Sequence, residues 1–376
     1  MHHSYIESGG ALLMLKIGFL GFGQAGSLFA DVARKEGFQS LAFNTAQVDL
    51  DVLDHLDAAD RMHLGGFEGA GKNRDIGLEA FSEHEDIIKE TISNKFHDYH
   101  ILMPVFALGG GTGSGMAPSV INLLTSLFET KVISPILLLP HDRESLRAKM
   151  NTLEAFATIS ENEDIGATFI FDNQKVNDMY PSFTISERHD KLRETFIKLV
   201  KRFNEATERH SRISNLDAMD LLTVFSERGC ALFSDLNIEE KECNNPASIG
   251  DRLLHSFEFS PYTTTDYSHL SKVAVIGEYP EEFTRHITTD ALFENISIPL
   301  EVFTGIYPTD SSGEDNKLYS LTTGLPFPNN RLKQYEASIQ QEEQNVIKSL
   351  KIAREQQYQN KKEWTDSLKS KRRIKM

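Results

Sequence analysis

A run of glycines near position 110 constrains the fold of this chain more than any other feature. The run is L-G-G-G-T-G-S-G, residues 108–115; an apolar segment, 101–107, precedes it and a helix-like segment, 116–129, follows. This order predicts a strand, a glycine turn and a helix N-terminus. Glycines at the turn, Gly110 among them, admit positive φ angles, and the positive end of a helix attracts anions. We therefore predict a phosphate-binding cradle.

The cradle differs from two common glycine-rich segments. Thr112 and Ser114 add hydroxyl donors, but no lysine follows the last glycine, as a P-loop would require. A flexible linker, the other alternative, is not flanked by a buried strand and an amphipathic helix. The predicted cradle therefore holds phosphate without a cationic side chain of its own.

Length and charge limit the classes of protein to which the chain can belong. Its 376 residues suffice for two domains, and the net charge of −16 argues against non-specific nucleic-acid binding by the body. Cys230 and Cys243 have no metal-like spacing and form no disulfide framework, which fits a cytoplasmic protein. Residues 1–13 are predicted to be a disordered extension, with Met14 as an alternative start. The apolar run 11–20 is too short to span a bilayer.

A second glycine motif lies near the N-terminus. Residues 21–26, G-F-G-Q-A-G, follow a predicted strand at 15–20 and precede a predicted helix at 27–36. Alone, this is the fingerprint of a Rossmann oxidoreductase that binds NAD(P), which places an acidic residue about 20 positions further on. The second predicted strand ends instead in Asn44 and Thr45. Both glycine loops are explained if each holds part of one triphosphate.

The glycine run carries a resemblance to a known family. Residues 109–115 match G-G-G-T-G-[ST]-G, the signature of the tubulin/FtsZ superfamily, and the chain resembles that family in the order of its motifs over roughly 15–327. Asn44 and Thr45 resemble the N-T turn that follows the second strand in FtsZ relatives. The resemblance implies a GTPase that binds GTP or GDP, with Mg²⁺ accompanying the nucleotide.

A third loop extends the resemblance. Residues 69–77, G-A-G-K-N-R-D-I-G, resemble the FtsZ loop G-A-G-x-N-P-x-x-G, which contacts the γ-phosphate. The chain departs from that pattern at Arg74, where FtsZ has proline. Lys72 and Arg74 either add positive charge at the phosphates or are solvated loop residues.

The resemblance also assigns the nucleoside contacts. Glu144 follows the strand that ends at Pro140, where FtsZ has a Glu that contacts the ribose. The FtsZ arginine four positions later is replaced by Ala148, so Arg147 or Asn151 is expected to substitute for it.

Two further side chains are assigned to the guanine base. Asn173 matches the FtsZ asparagine that reads guanine, and an amide offers both a donor and an acceptor. Asp190 matches an FtsZ aspartate that accepts from guanine and so favours GTP over ATP. The alternative for Asp190 is an ordinary exposed helix residue.

An acidic pair follows the predicted central helix. Asn215, Asp217 and Asp220 have the spacing N-x-D-x-x-D of the FtsZ loop that enters the nucleotide site of the next subunit. Two carboxylates beside a γ-phosphate can orient and polarise a water. The same residues also resemble a capping box at a helix start, and one residue can serve both purposes. We predict a catalytic role for all three.

The complete set of residues that the resemblance assigns to the nucleotide combines these loops. They are Gly23, Gln24, Ala25, Gly26, Asn44, Ala70, Gly71, Asn73, Gly110, Gly111, Thr112, Gly113, Ser114, Glu144, Asn173 and Asp190. No protein-held metal site is expected.

The predicted fold class is α/β. A Rossmann-like parallel-sheet domain is followed by a central helix, a smaller α/β domain with strands near 273–277, 300–305 and 318–323, and a long C-terminal helix. Leu332, Ile339, Val346 and Ala353 fall seven apart and predict a narrow apolar seam on that helix. The predicted segments are 1–13 (extension), 14–185 (GTP-binding domain), 186–210 (central helix), 211–328 (second domain), 329–368 (C-terminal helix) and 369–376 (basic tail).

The functional hypothesis is a GTPase that assembles with itself head to tail into filaments. Within the superfamily, the basic tail favours the TubZ branch, which segregates plasmid or phage DNA through a DNA-bound TubR-like adaptor. A CetZ- or FtsZ-like role in cell shape or division is the alternative, since residues 21–26 also resemble CetZ. A non-hydrolysing GTP-binding module and the NAD(P)-binding oxidoreductase are the other classes. No direct membrane binding is expected, because the tail has no amphipathic stripe.

Overall fold

The computed structural model describes residues 14–239, 246–263, 265–309 and 316–373. The predicted extension, residues 1–13, and the end of the basic tail, residues 374–376, lie outside the described residues. No helix in the described part of the chain combines the length and the apolar character needed to cross a bilayer.

Strands and helices alternate through the first half of the chain. The strands are β1 (Ile17–Phe22), β2 (Gln39–Asn44), β3 (Arg61–His63), β4 (Ile101–Ala107), β5 (Val132–Ile133), β6 (Ile136–Leu139), β7 (Ala167–Asp172), β8 (Gly229–Asn237), β9 (Lys272–Glu278), β10 (Glu301–Ile306) and β11 (Lys317–Leu325). The helices are α1 (Gly23–Lys35), α2 (Gln47–Asp51), α3 (Arg74–Phe96), α4 (Thr112–Leu127), α5 (Leu146–Glu161), α6 (Asn173–Met179), α7 (Ile185–Ala206), α8 (Ala218–Phe225), α9 (Pro246–Glu258), α10 (Thr289–Phe293) and α11 (Asn329–Arg373).

All of these strands belong to one sheet. Its order is β10-β9-β11-β8-β7-β6-β4-β1-β2-β3, with β5 added beside β4. The pairings are parallel except those of β11, which runs antiparallel to both β8 and β9. The α/β class with a mainly parallel sheet is confirmed. The strands of the second half continue the sheet of the first through the β7–β8 pairing, and the proposed domain limits stay predictions.

The central helix α7 packs across the middle of the sheet. Its buried stripe includes Phe196 and Phe203, which recur at helical spacing. Phe196 lies edge-on to Phe169 of β7, and Phe169 stacks on Phe233 of β8. This aromatic cluster joins the two halves of the sheet to one helix, as the apolar spacing predicts.

Several element boundaries differ from the sequence expectation. The two glycine motifs are themselves helical: α1 begins at Gly23 rather than near 27, and α4 at Thr112 rather than near 116. Helix α7 ends at Ala206, four residues earlier than expected. Strand β8 was not predicted, because its continuous apolar run is buried on both faces and has no clear period.

The C-terminal helix α11 is longer than predicted and reaches Arg373. Its first turns pack on the body, mainly against α5, with Tyr335 buried. Further along the predicted seam, Val346 is 53% exposed, and its neighbour Leu350 is 56% exposed. The seam therefore contacts the described body only near its beginning.

Candidate functional site

Both glycine motifs lie at the carboxyl edge of the parallel sheet. Strands β1 and β4 are neighbours in parallel register, with Phe22 opposite Phe106, so the loops after them meet. Gly23 has a φ of +70°, and a β-carbon on it would lie 3.3 Å from the backbone nitrogen of Gly113. Gln24 and Ala25 follow in the first turn of α1. The structure thus brings these two predicted motifs into direct contact.

The helices that start at these loops leave their N-termini available. Neither α1, which follows Phe22, nor α4, which follows Gly111, has a side-chain cap in the part of the chain that the structure describes. The first backbone N–H groups of a helix have no partner within it. Two uncapped helix N-termini that meet at one point form a site suited to an anion with several oxygens.

The expectation of positive φ angles in the glycine run is wrong. Among the described residues, no glycine from 109 to 115 has a positive φ. The glycines serve close approach instead: a β-carbon on Gly111 would lie 2.6 Å from Cβ of Ala70, and one on Gly113 would lie 2.7 Å from the carbonyl oxygen of Ala107. Gly110 has room, since the same oxygen would be 3.6 Å away.

Gly26 and Ser114 make contacts within the loops, and their contact with a nucleotide stays a prediction. A β-carbon on Gly26 would collide with the carbonyl oxygen of Val105, so this glycine lets α1 pack on β4. The Ser114 hydroxyl donates to the carbonyl oxygen of Gly110 within its own turn. Gly26 therefore allows close packing of α1 on β4, and Ser114 stabilises the turn that contains Gly110.

The third predicted loop docks on the glycine run. Gly71 and Lys72 both have positive φ angles, +50° and +62°. Asn73 caps α3 by accepting from the backbone of Asp75. The buried Asn151 donates to the carbonyl oxygens of Lys72 at 3.0 Å and Gly110 at 3.2 Å, which ties the two loops together.

The residues expected to replace the missing arginine are engaged in this network. Arg147 donates to Oδ1 of Asn73 at 2.8 Å, and the Asn151 amide is held by two carbonyl groups. Arg74 pairs with Glu154 at 2.5 Å. These side chains position loops in the described structure, and a direct ribose contact from Arg147 or Asn151 stays a prediction.

The N-T turn lies against the start of α4. The buried hydroxyls of Thr45 and Thr112 are 2.8 Å apart. Asn44 accepts from the backbone of Ala46 and donates to Asp49. The sequence assigned Asn44 to the site but not Thr45, whose only signal was its place beside Asn44.

The nucleoside residues flank the same edge after β6 and β7. Glu144 lies 3.4 Å from Nζ of Lys72. Asn173 opens α6, and its Oδ1 is buried without a hydrogen-bond partner among the residues described. A buried acceptor without a donor is costly, so this amide oxygen is suited to accept from a ligand.

Asp190 is engaged within its own helix. It accepts from Arg193 at 2.5 Å and from Ser186 at 3.3 Å, and its side chain is 56% exposed. Its neighbour His189 was not singled out from the sequence. Burial, helped by the charge of Arg193, lowers the pKa of His189 and favours its neutral form.

The acidic pair forms a reciprocal capping box at the start of α8. Asp217 accepts from the backbone of Asp220 at 2.8 Å, and Asp220 accepts from the backbone of Asp217 at 3.1 Å. Burial raises the pKa of Asp220, and the charge of Asp217 adds to the shift. Asn215 bonds with both backbone groups of Ser211. The capping interpretation is confirmed, and these bonds use one oxygen of each carboxylate.

The segment that carries this pair is attached beside the amino ends of β1 and β7, which form the amino edge of the nucleotide-binding half of the sheet, and its Ser214 also pairs with Ile306 at the end of β10. Near its start, Asn204 of α7 bonds with the backbone of Leu15, just before β1. Near its end, Arg228 donates to the carbonyl oxygens of Ser160 and Asn162, before β7. The glycine loops are at the carboxyl edge, so the structure does not bring the acidic residues and the glycine loops together within the chain.

The profile of the Tubulin/FtsZ family, GTPase domain, matches residues 16–181. These residues resemble a tubulin/FtsZ-family GTPase domain. The match includes all three glycine loops, the N-T turn and Asn173, and it favours this family over the dinucleotide-dependent oxidoreductase.

Curated relatives come from two branches of the tubulin/FtsZ family. TubZ of Bacillus cereus is 27% identical over 267 residues, which cover 66% of this chain and 60% of that protein. CetZ of Pyrococcus horikoshii is 25% identical over 317 residues, which cover 81% of this chain and 84% of that protein. The chain thus spans less than two thirds of the length of the Bacillus relative.

Solved structures share the tubulin/FtsZ fold. TubZ of Clostridium botulinum phage c-st matches with a TM-score of 0.71 and 19% identity, over 88% of this chain and 99% of that one. CetZ of Methanosaeta thermophila matches with a TM-score of 0.68 and 22% identity, over 94% and 98%. A GTPγS-form protofilament of Bacillus thuringiensis TubZ matches with a TM-score of 0.74 and 16% identity, over 89% and 94%.

Proposed function

We propose that this protein is a GTP-dependent cytoskeletal GTPase that assembles into filaments and hydrolyses GTP between adjacent subunits. One observation carries the proposal: the glycine loops lie at one edge of the sheet and the acidic pair at the other. Head-to-tail stacking would place the carboxyl edge of one subunit against the amino edge of the next. Such a heterologous interface repeats without closing and generates a filament.

The carboxyl edge supports the nucleotide-binding half of the proposal. The uncapped N-termini of α1 and α4 would hold the phosphates, and Gly111 and Gly113 let the loops approach closely enough to do so. Glu144 would contact the ribose, and the buried Oδ1 of Asn173 would accept from a donor on guanine. Among the described residues, no three His, Cys, Asp or Glu side chains cluster into a metal site. Mg²⁺ commonly enters such sites on the phosphates themselves, where it would neutralise their charge.

The amino edge supports the hydrolytic half. Asp217 and Asp220 are fixed by their mutual capping bonds, so two carboxylates are presented in a defined orientation. In a neighbouring subunit's nucleotide site they would orient and polarise a water, with Asn215 beside them. The pKa of Asp220, raised by burial, makes its carboxylate a better proton acceptor than an ordinary aspartate.

We assign the filament to DNA segregation. The long helix α11 projects beyond the body. Its last residues include Lys369, Lys371, Arg372 and Arg373, and Lys375 follows in the sequence. So few charges would bind DNA weakly and only at low salt. Docking on a DNA-bound, TubR-like adaptor would gain avidity from a repeated array.

A role in cell shape or division is the second candidate. The alignment with a CetZ covers more of this chain than the alignment with a TubZ, 81% against 66%. Co-sedimentation with adaptor and its DNA distinguishes the two roles. Deleting residues 369–376 is expected to abolish this co-sedimentation while leaving GTP turnover intact. A truncated protein that still carries the DNA into the pellet would contradict the segregation role.

Phosphate release as a function of protein concentration tests the proposal as a whole. Because each active site would need two subunits, turnover per subunit is expected to rise above a threshold concentration and then level off. Sedimentation at the same concentrations should place filament formation at the same threshold. Turnover that is independent of concentration, or GTP binding without any turnover, would refute the shared site.

A further inference from the structure

Arg331, in the first turn of α11, joins two loops at the carboxyl edge of the sheet. Its side chain belongs to a residue only 8% exposed. On one side, Nε lies 2.8 Å from Oδ2 of Asp172, and Nη2 donates to Oδ1 of the same carboxylate at 3.0 Å. On the other side, Nη1 donates to Asp142 at 2.7 Å. One guanidinium therefore holds two carboxylates from different loops.

Both loops carry residues to which the proposed function gives a nucleoside contact. Asp172 caps α6 by accepting from the backbone of Gln174 at 2.9 Å, which fixes the turn that contains Asn173. Asp142 lies two positions before Glu144. The backbone of Asp142 also donates to the side chain of Gln174 at 3.2 Å, so the two loops are linked directly as well.

The rest of the first turns of α11 reinforces this attachment. The buried Tyr335 donates to the carbonyl oxygen of Pro140, at the end of β6. Arg331 lies over the Tyr335 ring at 4.6 Å. The buried Lys149 of α5 donates to Ser338 at 2.7 Å. The helix is thus anchored beside the base and ribose loops, while its exposed part extends away from them.

The Arg331–Asp172 pair is well suited to transmit position. Nη2 of Arg331 donates to one oxygen of Asp172, and Nε lies within ion-pair distance of the other, so charge and one hydrogen bond together hold this carboxylate. Both partners are buried, so separating them leaves a desolvated charge unpaired. A displacement of the start of α11 is therefore expected to displace Asp172, which caps α6.

We propose that Arg331 is a positioning residue that couples docking of the C-terminal helix to recognition of the nucleoside. This inference rests on the proposed function, because it assigns Asn173 and Glu144 to the base and ribose. Coupling between two sites is reciprocal: a docked helix improves guanosine binding, and bound guanosine strengthens docking. The nucleotide state of a subunit is thereby linked to the helix that leads to its tail.

Nucleotide selectivity in the unassembled protein tests the coupling. Dissociation constants for GTP, ATP and 2′-deoxy-GTP are measured below the assembly threshold for the wild type and for Arg331→Gln. We expect GTP binding to weaken by about tenfold, the worth of one well-placed hydrogen bond. ATP binding should change little, so the GTP/ATP ratio falls. A merely structural role would lower the melting temperature without changing that ratio.

A second variant covers the case in which Arg331→Gln does not fold. Asp142 has a side chain that is 57% exposed, so Asp142→Ala breaks the link to the ribose loop without leaving a buried charge. We expect about a threefold loss of discrimination between GTP and 2′-deoxy-GTP. Arg354→Gln, an exposed arginine further along the same helix, is the matched control and should bind as the wild type.

Amide hydrogen exchange measures the coupling in the other direction. Adding GTP to the wild type should slow exchange in residues 329–340, and this protection should disappear in Asp142→Ala or Arg331→Gln. Wild-type selectivity and wild-type protection in every folded variant would overturn the inference while GTP binding stands. A wild type that binds no GTP would instead refute the proposed function.

Discussion

The two edges of the sheet are built in opposite ways. At the carboxyl edge, three loops interlock so closely that Gly111 has no room for a side chain. In the described chain, however, the N-termini of α1 and α4 have no side-chain cap, and Oδ1 of Asn173 has no hydrogen-bond partner. At the amino edge, Asp217 and Asp220 satisfy each other's backbone at the surface. The carboxyl edge is tightly packed but has polar groups available for a ligand, whereas the capping bonds at the amino edge lie within the chain.

This difference bears on how catalysis is controlled. A rigid donor set needs a ligand to satisfy it, so the carboxyl edge is prepared to bind in a single subunit. The acidic pair is held by its own capping bonds and lies apart from the nucleotide site of its own chain. Under the proposed function, binding would therefore precede assembly and hydrolysis would follow it, which allows a filament to form before it loses its GTP.

The largest expected effect is a loss of turnover when Asp217 is replaced. Two substitutions of Asp217 distinguish a catalytic role from a capping role. Asp217→Asn keeps an oxygen that can cap α8 but removes the charge, whereas Asp217→Ala removes both. If the carboxylate acts on water, both variants should lose turnover by a factor on the order of 10²–10⁴. GTP binding should be retained, and filaments should persist longer because they keep GTP.

Thermal unfolding supplies the control for this comparison. Only Asp217→Ala should lose cap stability, on the order of 1 kcal/mol, so the two variants differ in melting temperature but not in turnover. We expect Asp220→Asn and Asp220→Ala to show the same pattern of turnover and melting temperature as the Asp217 variants. Near-normal turnover in Asp217→Asn would mean that the acidic pair is only a cap.

Adjacent glycines at the carboxyl edge give the next largest effect. Gly111→Ala forces a β-carbon against Ala70 and the backbone of Asn73, 2.6 and 2.9 Å away, and overpacking of this kind costs about 1–3 kcal/mol. GTP affinity should fall by roughly ten- to a hundredfold. Gly110→Ala meets no atom nearer than 3.6 Å and should bind within about twofold of the wild type, on the same conversion.

Isothermal titration with GTP on both variants measures this contrast. The neighbouring position is its own control, because the two substitutions add the same atom to the same turn. Equal losses at Gly110 and Gly111 would indicate that backbone freedom, rather than close approach, is what the run requires.

The glycine positions also illustrate what the sequence could and could not reveal. The order of strand, glycine run and helix was enough to predict the α/β class and the meeting of the loops, because carboxyl ends of neighbouring parallel strands share an edge. The reason for each glycine was not predictable. Whether Gly111 serves φ or close approach depends on Ala70, about 40 positions away in the chain.

Long-range polar contacts were missed for the same reason. Arg331 was not singled out from the sequence, and Tyr335 only adjoined the apolar seam of the C-terminal helix; the fold places them beside Pro140, Asp142 and Asp172. Strand β8 was missed because an apolar run buried on both faces has neither the helical nor the alternating period. Motifs that act through local backbone geometry are visible in one sequence, whereas contacts between distant segments are not.

A smaller effect tests the unsatisfied acceptor at the carboxyl edge. Asn173→Ala removes a buried oxygen that has no donor among the described residues, so the free protein should lose no stability and gain up to about 1 kcal/mol. GTP affinity should nevertheless fall by about tenfold, with ATP affinity unchanged. Asn162→Ala at the amino edge removes bonded groups and should show the reverse: lower stability and normal GTP binding.

The smallest expected effect concerns how the loop before the acidic pair is held by Tyr307, which follows the end of β10. The buried Tyr307 hydroxyl donates to the carbonyl oxygen of Ala206 at 2.7 Å and accepts from the backbone of Leu216 at 3.4 Å, so it bridges the two ends of the segment that presents Asp217. Tyr307→Phe should loosen this segment and lower turnover by about threefold, with GTP affinity unchanged. Tyr319→Phe is the matched control. Its hydroxyl accepts only from Arg202 among the bonds described, and its ring lies under that arginine as Tyr307 lies under Arg209. An equal loss of turnover in both variants would mean that the loss reflects general stability rather than the position of the acidic loop.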